Sequence, residues 1–244
     1  MQRRTFLSLL AAAPLATVSQ AATPEWEARL IAGGSDESGP TLGLHIKLAK
    51  GWKTYWRVPG EAGIPPQIKI ESSDIAATEI LYPLPRRLID ASGEAIGYHD
   101  EVVFIMKPKL IAGHQPGKIQ GMVHAFFGVC DNICKPAKFE ADISSALPND
   151  RLLDKYLEQV PKQGKVANRV EQTVAGLELT LTREFDDIFV EGPEGLYFRK
   201  PTFSNGKAVL KIDGLLNGKK LSGENLRVTT SAKGKGLEQT TSLA

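Results

Sequence analysis

An all-β protein of two sandwich-like domains joined by a short helix is the fold class that the sequence predicts. Three observations carry it. Apolar residues recur at every second position through much of the 244-residue chain, only one segment shows helical spacing, and Gly/Pro/Asp/Ser clusters separate the runs at short intervals. Once an N-terminal signal is set aside, about 220 residues remain, which suits two domains of roughly 100 residues each.

Residues 1–22, MQRRTFLSLLAAAPLATVSQAA, join a short basic head to an apolar stretch from Phe6 to Val18 and then to the small residues Ser19, Ala21 and Ala22. That is the layout of a cleaved export signal, with the mature chain starting near Ala22 or Thr23. Arg3-Arg4 followed by Thr5-Phe6-Leu7 looks like a twin-arginine signal, and an ordinary secretory signal with two arginines reads almost the same. A membrane anchor fits less well, because the run falls short of the ~20 residues that span a bilayer and contains Pro14. With Arg3 and Arg4 removed, the 30 basic residues come into balance with the 28 acidic ones. A near-neutral chain without a basic block argues against nucleic acid as a partner, and Lys233 and Lys235 read as part of a solvated terminus. No apolar run after Val18 is long enough to cross a membrane, so the expectation is a soluble periplasmic protein.

In the first domain, residues 23–148, Trp26, Ala28 and Leu30 alternate with charged neighbours, as do Leu42, Leu44, Ile46 and Leu48. Further strand signals lie at Ile68 to Ile70, Val102 to Met106, Ile119 to Phe127 and Phe139 to Ile143, between turns at 33–40, Pro59-Gly60 and 113–117. Residues 149–164, NDRLLDKYLEQVPKQG, place Leu152, Leu153, Tyr156, Leu157 and Val160 at helical spacing. Asn149 or Asp150 can cap this connector and Pro161 ends it. The second domain, 165–244, alternates through Leu177, Leu179 and Leu181. More strands are expected at Ile188 to Val190, Val209 to Ile212, Leu226 to Val228 and Thr240 to Leu243, with turns at Asn205-Gly206 and Asn217-Gly218. It contains neither cysteine nor histidine.

Both cysteines of the chain, Cys130 and Cys134, fall within FFGVCDNICKPAKF at 126–139. In an oxidising compartment two thiols this close form a disulfide. Four residues along a strand span roughly 13 Å, whereas a disulfide needs Cα atoms within about 7 Å, so the segment must turn at Asp131-Asn132 on a loop or irregular hairpin. Closing so small a loop stabilises by only about 2 kcal/mol, against roughly 4.7 kcal/mol for a loop of 100 residues. The spacing suits reversible exchange better than reinforcement. A structural disulfide and a Cu(I) site, in which His124 or Met122 joins the two thiolates, remain the alternatives. His45, His99 and His114 are scattered and read as surface or turn residues. A cysteine hydrolase is disfavoured because the neighbouring thiol would trap the nucleophile. No phosphate-binding, dinucleotide, zinc-protease or serine-hydrolase motif is present, and no cofactor is expected. A second dense stretch, GWKTYWRVPGEAGIPPQIKI at 51–70, reads as a core strand with a stiff corner.

That stretch, together with GYHDEVVFIMKP at 97–108 and GVCDNICKPAKF at 128–139, resembles the N-terminal periplasmic domain of the DsbD family of thiol:disulfide interchange proteins, and most nearly the ScsB-like variant of copper-tolerance relatives. The resemblance covers about 25–145 and extends to the second β domain. It implies an immunoglobulin-like fold in which Cys130 and Cys134 are the redox-active pair of a protein-disulfide reductase component. It also implies a membrane-embedded electron donor, here on a separate chain, and periplasmic thioredoxin-like acceptors, with no metal ligands. The family's spacer between the cysteines is longer in its best-known members, and their aromatic-tipped capping loop corresponds to about Ile89 to Gly97, which has no aromatic. Within the pair, Asp131 disfavours a thiolate at Cys130 while Lys135 favours one at Cys134. The resemblance likewise gives the second cysteine the intermolecular bond.

Overall fold

Alternating apolar residues fold the first half of the chain into two sheets whose inner faces meet in one core. The computed structural model describes residues 24–36, 39–60, 63–90, 93–113, 119–214 and 221–243; the expected export signal, His114 and the expected turn at Asn217-Gly218 lie outside them. The strands of this half are β1 (Trp26–Asp36), β2 (Gly39–Leu48), β3 (Lys53–Gly60), β4 (Gln67–Glu71), β5 (Ile75–Leu81) and β6 (Arg86–Asp90). They continue with β7 (Gly93–His99), β8 (Glu101–Leu110), β9 (Met122–Cys130), β10 (Cys134–Asp142) and β11 (Leu147–Pro148). One sheet runs β11-β1-β2-β8-β5 and the other β10-β9-β3-β7-β6, with β4 also on β9.

Val102 to Met106 are buried without alternation. A strand covered on both faces carries a continuous apolar run. The second cover is α1 (Asp150–Leu157), which starts at Asn149, whose side chain accepts from the Leu152 amide at 3.3 Å. Leu153 and Tyr156 are buried in the first core, and the Tyr156 hydroxyl donates to the Glu101 carbonyl at 3.1 Å. The helix joins the two domains in sequence, yet it is packed as a part of the first.

The split between β3 and β4 positions the site. Lys53 and Thr54 lie beside Cys130 and Val129 on β9, and Gln67 to Glu71 resume on the same edge of β9 beside Phe126 to Met122. Between them the chain departs from β9 and pairs with β7, Tyr55 opposite Gly97 and Gly60 opposite Ala95. The aromatic stretch is therefore one strand position interrupted by a detour.

The second half forms β12 (Lys162–Gln163), β13 (Ala167–Thr173), β14 (Gly176–Leu181), β15 (Asp187–Glu191), β16 (Leu196–Phe198) and β17 (Thr202–Ser204). After these come β18 (Lys207–Leu210), β19 (Ile212–Gly214), β20 (Asn225–Ala232) and β21 (Lys235–Ser242). Two four-stranded sheets, β12-β21-β20-β15 and β13-β14-β18-β17, enclose a separate core, with β16 and β19 paired beside them. The Asn205-Gly206 turn has positive φ at both residues, as a two-residue hairpin loop requires. The architecture is all-β, an immunoglobulin-like sandwich followed by a second sandwich-like domain.

Candidate functional site

β9 ends on Cys130 and β10 begins on Cys134, and the two face each other as Cα partners across the hairpin. Directly opposed residues bring their Cβ atoms to about 4.5–5.5 Å. The exposed turn Asp131-Asn132-Ile133 thus solves the reach problem posed by the spacing. The two cysteines stand as a dithiol, not joined by a disulfide, with Sγ atoms 3.1 Å apart. Cys130 is fully buried and Cys134 is partly exposed. Of the two sulfurs, Cys134 is the one that an incoming group can reach.

Lys53, itself buried, stands opposite Cys130 on the ladder, and Tyr55 follows two residues later on the same face of β3. The detour after Tyr55 leaves a slot for its ring, bounded by Gly63 on one edge and Gly128 on the other. A Cβ on Gly63 would lie 2.6 Å from Tyr55 Cδ1, and one on Gly128 would lie 2.9 Å from Cδ2. Held there, the Tyr55 hydroxyl is hydrogen-bonded to Cys134 Sγ at 2.7 Å. Burial, reinforced by the adjacent thiols, raises the Tyr55 phenol far above its ordinary range, so it keeps its proton and is the donor once a thiolate forms. Burial also pushes the Cys130 thiol up. Hydrogen bonding from Tyr55 and the charge of Lys53 oppose that rise, whereas the proximity of Cys134 adds to it.

Leu88 of β6 and Ala95 of β7 form a small buried cluster with Tyr55 and Cys130, and Cys134 packs against it. The side chains of this hairpin that pack on the thiol cluster, Leu88 and Ala95, are aliphatic, and its one aromatic, Tyr98, is buried in the main core instead. Neither Tyr55 nor Leu88 was singled out from the sequence as a site residue. The only signal was the density of aromatics and glycines around Tyr55.

Other expectations need correction. The Lys135 ammonium is paired with Glu25 and lies 5.2 Å over the Trp52 ring, so its charge is engaged away from Cys134. His124 sits between Glu71 at 3.6 Å and Glu140 at 3.3 Å. Six residues along β9 put it about 20 Å from Cys130, and Met122 lies farther still. Neither can complete a Cu(I) site with the thiols. Among the described residues no three His, Cys, Asp or Glu side chains are grouped to hold a metal. His45, expected at the surface, is buried, accepting from Arg29 at 3.2 Å and facing Glu101 at 3.2 Å. Burial first, and then Arg29, holds it below the usual histidine range against the opposing pull of Glu101. His99 is exposed beside the Trp52 carbonyl.

Comparison with known proteins places this arrangement. The family model for thiol:disulfide interchange protein DsbD, N-terminal, matches residues 19–143, a stretch that contains both cysteines, Tyr55 and Leu88. A search of curated proteins finds no match. Among solved structures, the N-terminal periplasmic domain of ScsB from Proteus mirabilis is similar over 93% of this chain and 96% of that one, with a TM-score of 0.73 at 18% identity. The N-terminal domain of DsbD from Neisseria meningitidis in the reduced form aligns over 48% of this chain and 82% of that one, with a TM-score of 0.30 at 16% identity. The ScsB likeness runs through both β domains and shows a shared fold, while the family model spans half of the sequence: the chain belongs to the DsbD N-terminal family of thiol:disulfide interchange proteins.

Proposed function

We propose that the protein relays reducing equivalents in the periplasm through the Cys130/Cys134 dithiol, taking them from a membrane-embedded donor and passing them to thioredoxin-like proteins. The observation that carries this reading is the pairing of a buried and a partly exposed thiol at 3.1 Å across one hairpin. Cys134, the reachable sulfur, loses its proton to solvent and attacks the partner's disulfide. One partner sulfur joins Cys134 and the other leaves as a thiolate. Cys130, deprotonated in turn, attacks Cys134 Sγ, forms the intramolecular disulfide and releases the partner's second sulfur, so that two electrons have moved to the partner. A dithiol donor then reverses these steps on this protein. Tyr55, protonated and within hydrogen-bond reach, stabilises the thiolate at each stage.

The role of each cysteine is tested by trapping. Cys130→Ser, incubated with an oxidised thioredoxin-like protein, accumulates a mixed disulfide through Cys134 on non-reducing gels, and Cys134→Ser accumulates far less. Equal trapping by both variants overturns the assignment. Trapping by neither favours the second reading, a non-catalytic sandwich module with a structural disulfide.

A further inference from the structure

The β6–β7 hairpin has two faces, and both are occupied. Leu88 and Ala95, opposed across its ladder, turn toward the thiol cluster. Side chains one residue out of phase point the other way. On that side Arg87, only 5% exposed, pairs with Glu94 of its own hairpin and donates Nε and Nη2 to the two carboxylate oxygens of Asp187, each at 3.0 Å. Its Nη2 also donates to the Ile188 carbonyl at 3.1 Å, and the guanidinium lies 5.3 Å over the Phe189 ring. Asp187, Ile188 and Phe189 all belong to β15 of the second domain.

The same strand anchors the other wall of the site. Phe189 is buried within the first domain's core, edge-on to Trp56 at 5.9 Å. Arg57, two residues beyond Tyr55, donates to Glu191 at 2.7 Å and to Glu238 at 2.6 Å. Strands β3 and β6, on either side of β7, are thus each tied to the second domain by an arginine within two residues of a side chain in the thiol cluster.

We infer that the second domain is a clamp: through the Arg87–Asp187 bridge it holds the β6–β7 hairpin closed over the buried Cys130 and so sets how readily that thiol is reached. Among the described residues β6 is the terminal strand of its sheet, with β7 as its one neighbour, and such an edge hairpin opens easily unless something else holds it. A bidentate, largely buried arginine–carboxylate pair supplies that hold, and removing the Asp187 carboxylate leaves the buried guanidinium with Glu94 of its own hairpin as its ion-pair partner, so nothing charged in the second domain then holds the hairpin down. Chemistry that requires opening proceeds in proportion to the open population. Arg87 and Asp187 are positioning residues in this scheme and touch neither sulfur nor partner. Its meaning for electron transfer rests on the relay proposed above; access to Cys130 does not.

The test is the iodoacetamide alkylation rate of Cys130, resolved from that of Cys134 by mass spectrometry, in the reduced chain. Asp187→Ala accelerates alkylation about tenfold, and Asp187→Glu, which keeps the charge, returns the rate to within about twofold of the native one. Glu178→Ala, which breaks a pair with Lys207 on another sheet of the same domain, leaves it unchanged. Because opening one hairpin exposes little surface, the faster rate in Asp187→Ala varies weakly with low urea, whereas global unfolding gives a steep dependence. An unchanged rate in Asp187→Ala, or an increase seen only with the steep urea dependence, overturns the clamp. Faster alkylation without mixed-disulfide formation by Cys130→Ser in either background upholds the clamp and overturns the relay.

Discussion

Tyr55 reaches the sulfurs because two positions beside its ring have no side chain. Gly63 and Gly128 crowd opposite ring edges, so the hydroxyl's place is set by backbone and needs no other polar partner. Tyr55→Phe keeps the ring and removes only the donor, costing about 1 kcal/mol of stability. Without that hydrogen bond nothing but the charge of Lys53 opposes the upward push of burial on Cys130, so its thiol ionises at higher pH. The expected result is a pH profile of Cys130 alkylation shifted to higher pH with the melting temperature nearly unchanged; an unshifted profile denies Tyr55 this role. None of this could be read from residues 51–70 alone. Three aromatics in five positions look the same whether they fill a core or hold a thiolate, and the slot exists only because both ends of the segment pair with β9.

The β9–β10 hairpin was more accessible from sequence, since strand rise alone forbids Cys130 and Cys134 from bonding without a turn between them. The β6–β7 hairpin was not, for a physical reason. Ala95, Ile96 and Tyr98 are all buried because β7 has the thiol cluster on one face and the main core on the other, and two-sided burial erases the alternation that marks a strand. The small loop closed by the cysteines sets the next expectation. At neutral pH the oxidised protein is more stable than the reduced one by only about 2 kcal/mol, and both unfold cooperatively. Above about pH 8.5 the gap widens, because the unfolded thiol releases its proton before the buried Cys130 does, which favours the unfolded reduced chain. Denaturant melts of both forms from pH 7 to 10 measure this. Loss of cooperative unfolding on reduction, or a gap that does not change with pH, contradicts it.

Across the whole molecule, sequence patterning distinguished two β domains and found no chemistry in the second. The described part of that domain's core is apolar, and the sequence reading went no further. What it missed is the contact between domains. Arg57, Arg87, Asp187 and Glu191 carry no signal of their own in the sequence, and only the docked arrangement shows them paired across the interface beside the thiol site. Phe189, an alternating strand residue of the second domain, completes the core of the first. Under the proposed relay and clamp, site and second domain are parts of one device built around a cysteine pair that changes oxidation state. The most direct measurement is the equilibrium reduction potential of Cys130/Cys134 against a glutathione or dithiothreitol couple. A dithiol that exchanges with periplasmic oxidoreductases has a potential between about −120 and −270 mV; a value below about −300 mV, where structural disulfides lie, contradicts the relay.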